Sequence, residues 1–157
     1  AFIANLVYSI KFLLDNNNEH SRIAYINAEV GVLFTLLTIV TGMFWAKPVW
    51  GAWWTWDPQL TTTFILFLLY FSYLVFHKLS TRAGVPKYAA VFAVISFIDL
   101  PIVYISVRVM RGISPVVFGG EGGGISPAMM NTLLVTLGAF LFLYIVLINL
   151  RSKVDKK

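Results

Sequence analysis

Four apolar stretches, residues 23–45, 60–77, 88–107 and 128–150, dominate this 157-residue chain, and each reaches or approaches the length of a bilayer crossing. A span needs about 20 residues at about 1.5 Å rise each. In hydrocarbon every backbone N–H and C=O must be paired within the structure, so these stretches are expected to be helices. Composition agrees: apolar residues make up 59% of the chain and charged ones 12%, against roughly 45–50% and about 25% in soluble domains. A water-facing globule of this length has too little interior to hide so much apolar surface. The reading is an all-α integral membrane protein with a single transmembrane helical domain over residues 1–157.

Residues 1–14 form a shorter apolar run that ends at Asp15-Asn16-Asn17-Asn18. It has neither the basic start nor the small-residue cleavage site of a signal peptide. The run reads as the tail of a spanning helix, so the natural N-terminus is expected to lie upstream of Ala1. The expected bundle therefore has about five transmembrane helices, the first of them partial.

Basic residues set the expected orientation. If the first helix runs outside to inside, the inner segments hold Lys11, Arg22, Lys78, Arg82, Lys87, Arg151, Lys153, Lys156 and Lys157, and the outer ones only Lys47, Arg108 and Arg111. Nine against three fits the positive-inside rule with a cytoplasmic C-terminus. Two loops then face outward, a Trp-rich one at 46–59 and a Gly-rich one at 108–127. The second holds six of the eleven glycines. No Lys-Ser/Thr follows it and no strand precedes it, so it reads as a flexible linker rather than a phosphate cradle.

Other classes fall away quickly. The absence of cysteine excludes disulfides, thiolate metal sites and thiol catalysis. The net charge of +5 is spread along the chain with no dense basic run, so nucleic acid is not an expected partner. No internal repeat supports an inverted-repeat transporter.

All five tryptophans lie between Trp45 and Trp56. An aromatic belt would spread over both membrane faces; here every indole falls at one outer loop. Were that loop helical, Trp50, Trp53 and Trp54 would share a face at i, i+3, i+4 spacing. Such a platform suits a large planar ligand, and a porphyrin is the obvious candidate, with Lys47, Arg108 and Arg111 placed to meet its carboxylates. Asp57-Pro58 has its own local meaning: Asp is a good N-cap and Pro is favoured at the first helical position, so Asp57 is expected to cap a helix over 58–77.

The run Trp50-Gly51-Ala52-Trp53-Trp54-Thr55-Trp56-Asp57, preceded by Gly42-Met43-Phe44-Trp45-Ala46-Lys47-Pro48 and followed by Leu60-Thr61, resembles the WWD signature of the haem-handling membrane proteins of cytochrome c maturation. Length, helix layout and Ala28-Glu29-Val30-Gly31 are most similar to the haem exporter protein C branch. The resemblance implies six helices in the intact inner (plasma) membrane protein and haem held at the outer face by Trp50, Trp53, Trp54, Trp56 and Asp57. It also implies delivery of that haem to the periplasmic chaperone CcmE, with the ABC-transporter-like subunits CcmA and CcmB and the small membrane subunit CcmD as partners. Family members ligate the iron through one histidine in each flanking outer loop. The first of these positions precedes Ala1. At the second, Ile113-Ser114-Pro115 stands where Leu-His-Pro is usual, and Gln59 replaces a usual arginine.

Neither histidine of this chain is expected near the platform, because His20 and His77 both fall on the inner side. Met43 and Met110 lie near the outer boundary and carry a soft thioether, but packing is the commoner fate of methionine. No axial ligand is assigned. Glu29 and Asp99 lie within spans, where a charge is costly and usually faces the bundle interior. Asp99, two residues before Pro101, is expected to be protonated and to donate within a kinked helix. Glu29 is expected to snorkel or to pair with a neighbouring subunit. No base, nucleophile and orienting group can be assembled on the outer side, so a binding and delivery role stands ahead of an enzyme. The alternatives are a WWD haem lyase, which attaches haem to apocytochrome, and a non-haem transport or scaffold subunit whose tryptophans only anchor it.

Overall fold

A computed structural model describes residues 1–109 and 126–155 of the chain. Among the described residues every regular element is a helix: α1 (Phe2–Asp15), α2 (Asn18–Trp50), α3 (Pro58–Arg82), α4 (Lys87–Ser96), α5 (Asp99–Val109) and α6 (Pro127–Val154). Four segments are long and apolar enough to cross a membrane, Asn18–Trp50, Pro58–Arg82, Lys87–Ser106 and Pro127–Val154. The 14-residue α1 spans only about 21 Å at 1.5 Å per residue. This is a multi-pass membrane protein, as its hydropathy demands. The Gly-rich stretch 110–125 lies outside the described residues, and with it the readings of Met110, Arg111 and Ser114.

Local chemistry sets most helix ends. Asn16 closes α1 in the left-handed conformation (φ 52°), and the Asn17 side chain accepts from Glu19 N–H at 2.9 Å to open α2. Asp57 caps α3 as expected, accepting from Gln59 N–H at 3.3 Å with Pro58 in the first turn. That helix runs on past His77 to Arg82, and Gly84 (φ 75°) turns the chain.

Two boundaries differ from expectation. The second helix does not stop at Trp45: it continues through Pro48 to Trp50, so only residues 51–57 form the connection to α3. Proline this close to a C-terminus removes a single intrahelical bond, from the Phe44 carbonyl, which is a tolerable loss. The helix ends at Gly51, whose φ of 75° only glycine adopts freely. The expected helix over 88–107 is also two helices rather than one. Pro101 has no N–H for the Phe97 carbonyl, and Leu100 N–H takes that acceptor instead at 3.1 Å. The α-helical ladder breaks at Phe97–Ile98 and restarts at Asp99.

The core lies where α1 to α4 meet. Phe2, Ala28, Val32, Leu66, Tyr70, Tyr73, Ala89 and Ala93 form its buried cluster, with Phe2 stacked on Tyr70 at 3.9 Å between ring centroids. Lipid tails are as apolar as these side chains, so close packing through small residues holds the helices together. Gly31 illustrates this: a Cβ there would overlap the Phe2 ring. Asn5 adds a buried bond from Nδ2 to the Ala24 carbonyl at 2.8 Å.

The last helix attaches chiefly to α2. Tyr144 OH donates to Asn27 Oδ1, and Arg151 Nε donates to Glu29 Oε2 at 2.7 Å. The expectation that Glu29 pairs with a neighbouring subunit is thereby corrected: its partner is a cation of its own chain, 122 residues away. Asp99 is buried in the first turn of α5, and its Oδ2 has no hydrogen-bond partner among the described residues.

Candidate functional site

The connection between α2 and α3 gathers aromatic rings from three sources. The end of α2 supplies Phe44, Trp45 and Trp50, the non-helical stretch supplies Trp53, Trp54 and Trp56, and the second turn of α3 supplies Phe64. They meet edge to face. Phe44 and Trp53 are 5.7 Å apart at 83°, Trp45 and Trp50 5.2 Å at 81°, Trp54 and Trp56 5.7 Å at 81°, and Trp54 and Phe64 5.9 Å at 71°. This is a favoured arrangement of aromatic quadrupoles, worth about 0.5–1.5 kcal/mol per pair beyond burial.

The shared helical face for Trp50, Trp53 and Trp54 is absent, because residues 51–57 are not helical. The rings instead form three edge-to-face groups, Phe44–Trp53, Trp45–Trp50 and Trp56–Trp54–Phe64, and leave broad ring surface open. Trp56 is 73% exposed, Trp45 51% and Trp53 49%. Trp50 and Trp54 are half-buried and act as the inner layer. Phe44 and Phe64 are the members that sequence reasoning missed; Phe64 lies seven residues after the cap at Asp57, on the face that an i, i+3, i+4, i+7 pattern would mark.

Polar groups frame the array. Lys47 Nζ donates to the Gly51 carbonyl at 3.0 Å and lies 5.8 Å above the Trp53 ring, which fixes a cation at the rim of the exposed indoles. Trp54 Nε1, Thr55 Oγ1 and Thr61 Oγ1 are buried and lack hydrogen-bond partners among the described residues. Asp57 is 5% exposed and its carboxylate is turned to the α3 backbone. It holds the stretch in place from beneath. At the same end Thr62 Oγ1 and Ser106 Oγ lie 3.3 Å apart and tie α3 to α5.

The histidines sit elsewhere, as their positions in the helices require. His77 is 19 residues along α3 from Pro58, or about 28 Å at 1.5 Å per residue. Its Nε2 lies 3.0 Å from Ser21 Oγ, and its ring packs on Tyr25 and Tyr73. His20 lies beside Tyr8 near the start of α2. Neither reaches the tryptophans. Among the described residues no group of three or more His, Asp or Glu side chains is arranged to hold a metal ion.

Comparison with known proteins gives this arrangement a context. Residues 2–157 match the model of the family described as Heme exporter protein C. A ccmC-like mitochondrial protein of cytochrome c biosynthesis from Arabidopsis thaliana is 35% identical over 153 residues, 97% of this chain and 58% of the relative. Heme exporter protein C of Haemophilus influenzae is 36% identical over 133 residues, covering 82% of this chain and 53% of its own length. The protein of that name from Escherichia coli K12 is 37% identical over 82 residues, 52% of this chain and 34% of its own. The chain thus spans little more than half of the first two of these relatives. They are named for export or biosynthesis, and none of the three carries the name of a lyase.

Proposed function

The chain belongs to the Heme exporter protein C family, and from that premise we propose that it holds haem against the tryptophan array and releases it to a periplasmic haem chaperone during cytochrome c maturation. The observation that carries the reading is the open state of the rings: Trp53 and Trp56 are 49% and 73% exposed although each is paired edge to face with another ring. Porphyrin is an apolar disc with carboxylates on one edge. The exposed indoles offer it a stacking surface, and Lys47 an ammonium for a carboxylate at the rim.

The hold this provides is suited to delivery. Full burial of a large apolar side chain contributes about 1.5–3 kcal/mol, so two open indoles supply at most about 6 kcal/mol from the protein side, a dissociation constant in the tens of micromolar. Tight retention would need an axial ligand from outside the described residues or from a partner. The partners of this reading are the chaperone CcmE, the ABC-transporter-like CcmA and CcmB, and the small subunit CcmD. In its orientation the tryptophan array faces outward and the C-terminus is cytoplasmic in the inner (plasma) membrane. Supporting that, helix order collects Lys11, Arg22, Lys78, Arg82, Lys87, Arg151 and Lys153 at the end opposite the array. No bond of the haem is made or broken by this chain.

The test is titration of the purified protein with hemin in detergent. The wild type is expected to shift the Soret band, and Trp53→Ala/Trp56→Ala to lose that shift while keeping its helical circular dichroism. A wild type that leaves the Soret band unmoved would make the tryptophans an interfacial anchor.

A further inference from the structure

At the end of the bundle opposite the tryptophans, α2, α3 and α6 surround a cavity of about 820 Å³ that no part of the proposed haem site uses. Four cations line it, Arg22, Lys78, Arg82 and Arg151, against one carboxylate, Asp155. Arg151 is already engaged by Glu29 at 2.7 Å and by Asp155 at 3.5 Å. Arg22, Lys78 and Arg82 have no carboxylate within ion-pairing distance among the described residues. The Lys78 ammonium stands 5.8 Å over the Tyr25 ring, at the cavity wall. The floor is closed by Ser21 and His77, 3.0 Å apart, with Tyr25 packed on the imidazole at 4.8 Å.

The level of this cavity decides its ligand. Arg22 is the last cation before the apolar run of α2, Lys78 the first after that of α3, and Arg151 the first after that of α6. Three helices thus pass from apolar to cationic at one height, the membrane–water boundary where lipid phosphates lie. Below Lys78 and Arg82 on the same face of α3, at i, i+4, i+7 and i+11, lie Phe71 and Val75, both about half exposed. They extend the cavity rim into the span as an apolar bed. A soluble anion would have no use for that bed, whereas acyl chains would.

We propose that this cavity is a binding site for the phosphodiester headgroup of an anionic phospholipid, with its acyl chains along Phe71 and Val75. Basic pockets between transmembrane helices take such headgroups. With Glu29 and Asp155 set against the four cations, two positive charges remain to be balanced. Diphosphatidylglycerol carries two phosphodiesters and is the matching probe.

The purified protein is equilibrated with phosphatidylcholine, phosphatidylglycerol or diphosphatidylglycerol, and retained lipid is read by native mass spectrometry. The wild type is expected to retain diphosphatidylglycerol at least about tenfold over phosphatidylcholine. Arg22→Gln/Lys78→Gln/Arg82→Gln is expected to lower that retention about tenfold or more, while Lys11→Gln/Lys87→Gln/Lys153→Gln, equal in charge and at the same end but outside the cavity, lowers it less than about threefold. Equal losses in the two triples would mean diffuse surface attraction and overturn the site. Displacement of the lipid from the wild type by millimolar inorganic phosphate would overturn the lipid assignment in favour of a free phosphate. That competition needs no variant and decides the matter if the cavity triple fails to fold.

Discussion

Arg151 Nε donates to Glu29 Oε2 at 2.7 Å, which joins the last helix to the second across 122 residues of sequence. The pair is partly shielded, with side chains 36% and 26% exposed, and α6 buries no residue of its own elsewhere. Its attachment rests on this pair, on Tyr144–Asn27 and on the edge-to-face contact of Phe140 with Phe34 of α2. Removing one partner leaves the other charge uncompensated near the bilayer boundary, a larger effect than the loss of a surface ion pair. Glu29→Ala is expected to destabilise the protein by on the order of 1–2 kcal/mol, and Glu29→Arg/Arg151→Glu to recover part of what Glu29→Arg loses. Unfolding in detergent, arranged as a double-mutant cycle, reads the coupling; additivity of the two single changes would show that the pair carries no energy.

Gly31 and Gly42 lie on one helix and are expected to respond oppositely to the same change. A Cβ at Gly31 would overlap the Phe2 ring, and that ring cannot swing clear because it is stacked on Tyr70. A Cβ at Gly42 would meet nothing within 4 Å. Gly31→Ala should cost about 1–3 kcal/mol through overpacking, and Gly42→Ala should be neutral or stabilise by up to about 1 kcal/mol through helix propensity. Thermal midpoints in one detergent check both, and a Gly31→Ala variant as stable as the wild type would show that Phe2 is not fixed as described.

Asp57 distinguishes a structural contribution from a ligand contact. Its carboxylate caps α3 and is 5% exposed. Asp57→Ala is expected to cost about 0.5–2 kcal/mol, and Asp57→Asn, which can still accept from Gln59 N–H, much less. The hemin titration should follow the same order, since the residue acts by holding residues 51–57. A variant Asp57→Asn with full stability and no Soret shift would instead make the carboxylate itself a haem contact.

These residues also show what a sequence can disclose. The spans and the Asp57-Pro58 cap are local: each depends on a run of apolar side chains or on two adjacent residues. The break at Phe97–Ile98 follows from Pro101, yet the same proline chemistry at Pro48 leaves α2 unbroken, because there it falls in a last turn with little ladder left to disturb. The ion pair of Glu29 could not be read, since its partner is fixed only once α6 has packed on α2. The tryptophans were legible as a group, but their geometry was not. The helical face expected of Trp50, Trp53 and Trp54 is replaced by edge-to-face pairs with Trp45, Phe44 and Phe64 respectively, and nothing in the spacing alone picks those partners.

Lys47 yields the last prediction, on the charge of the cargo. Its ammonium is held by the Gly51 carbonyl and the face of Trp53, so it is an oriented cation at the edge of the open indoles rather than a free surface lysine. A carboxylate of a porphyrin lying on Trp53 and Trp56 would meet it in a partly dehydrated setting, where a charge-assisted hydrogen bond is worth about 1.5–3 kcal/mol. Removing the charge by Lys47→Gln should therefore weaken hemin binding about tenfold or more, and raising the salt concentration should weaken the wild type more than the variant. A neutral porphyrin diester should bind both proteins alike. Equal binding of hemin by the wild type and Lys47→Gln at low salt would place the carboxylates away from Lys47, with the disc then reversed on its indole seat.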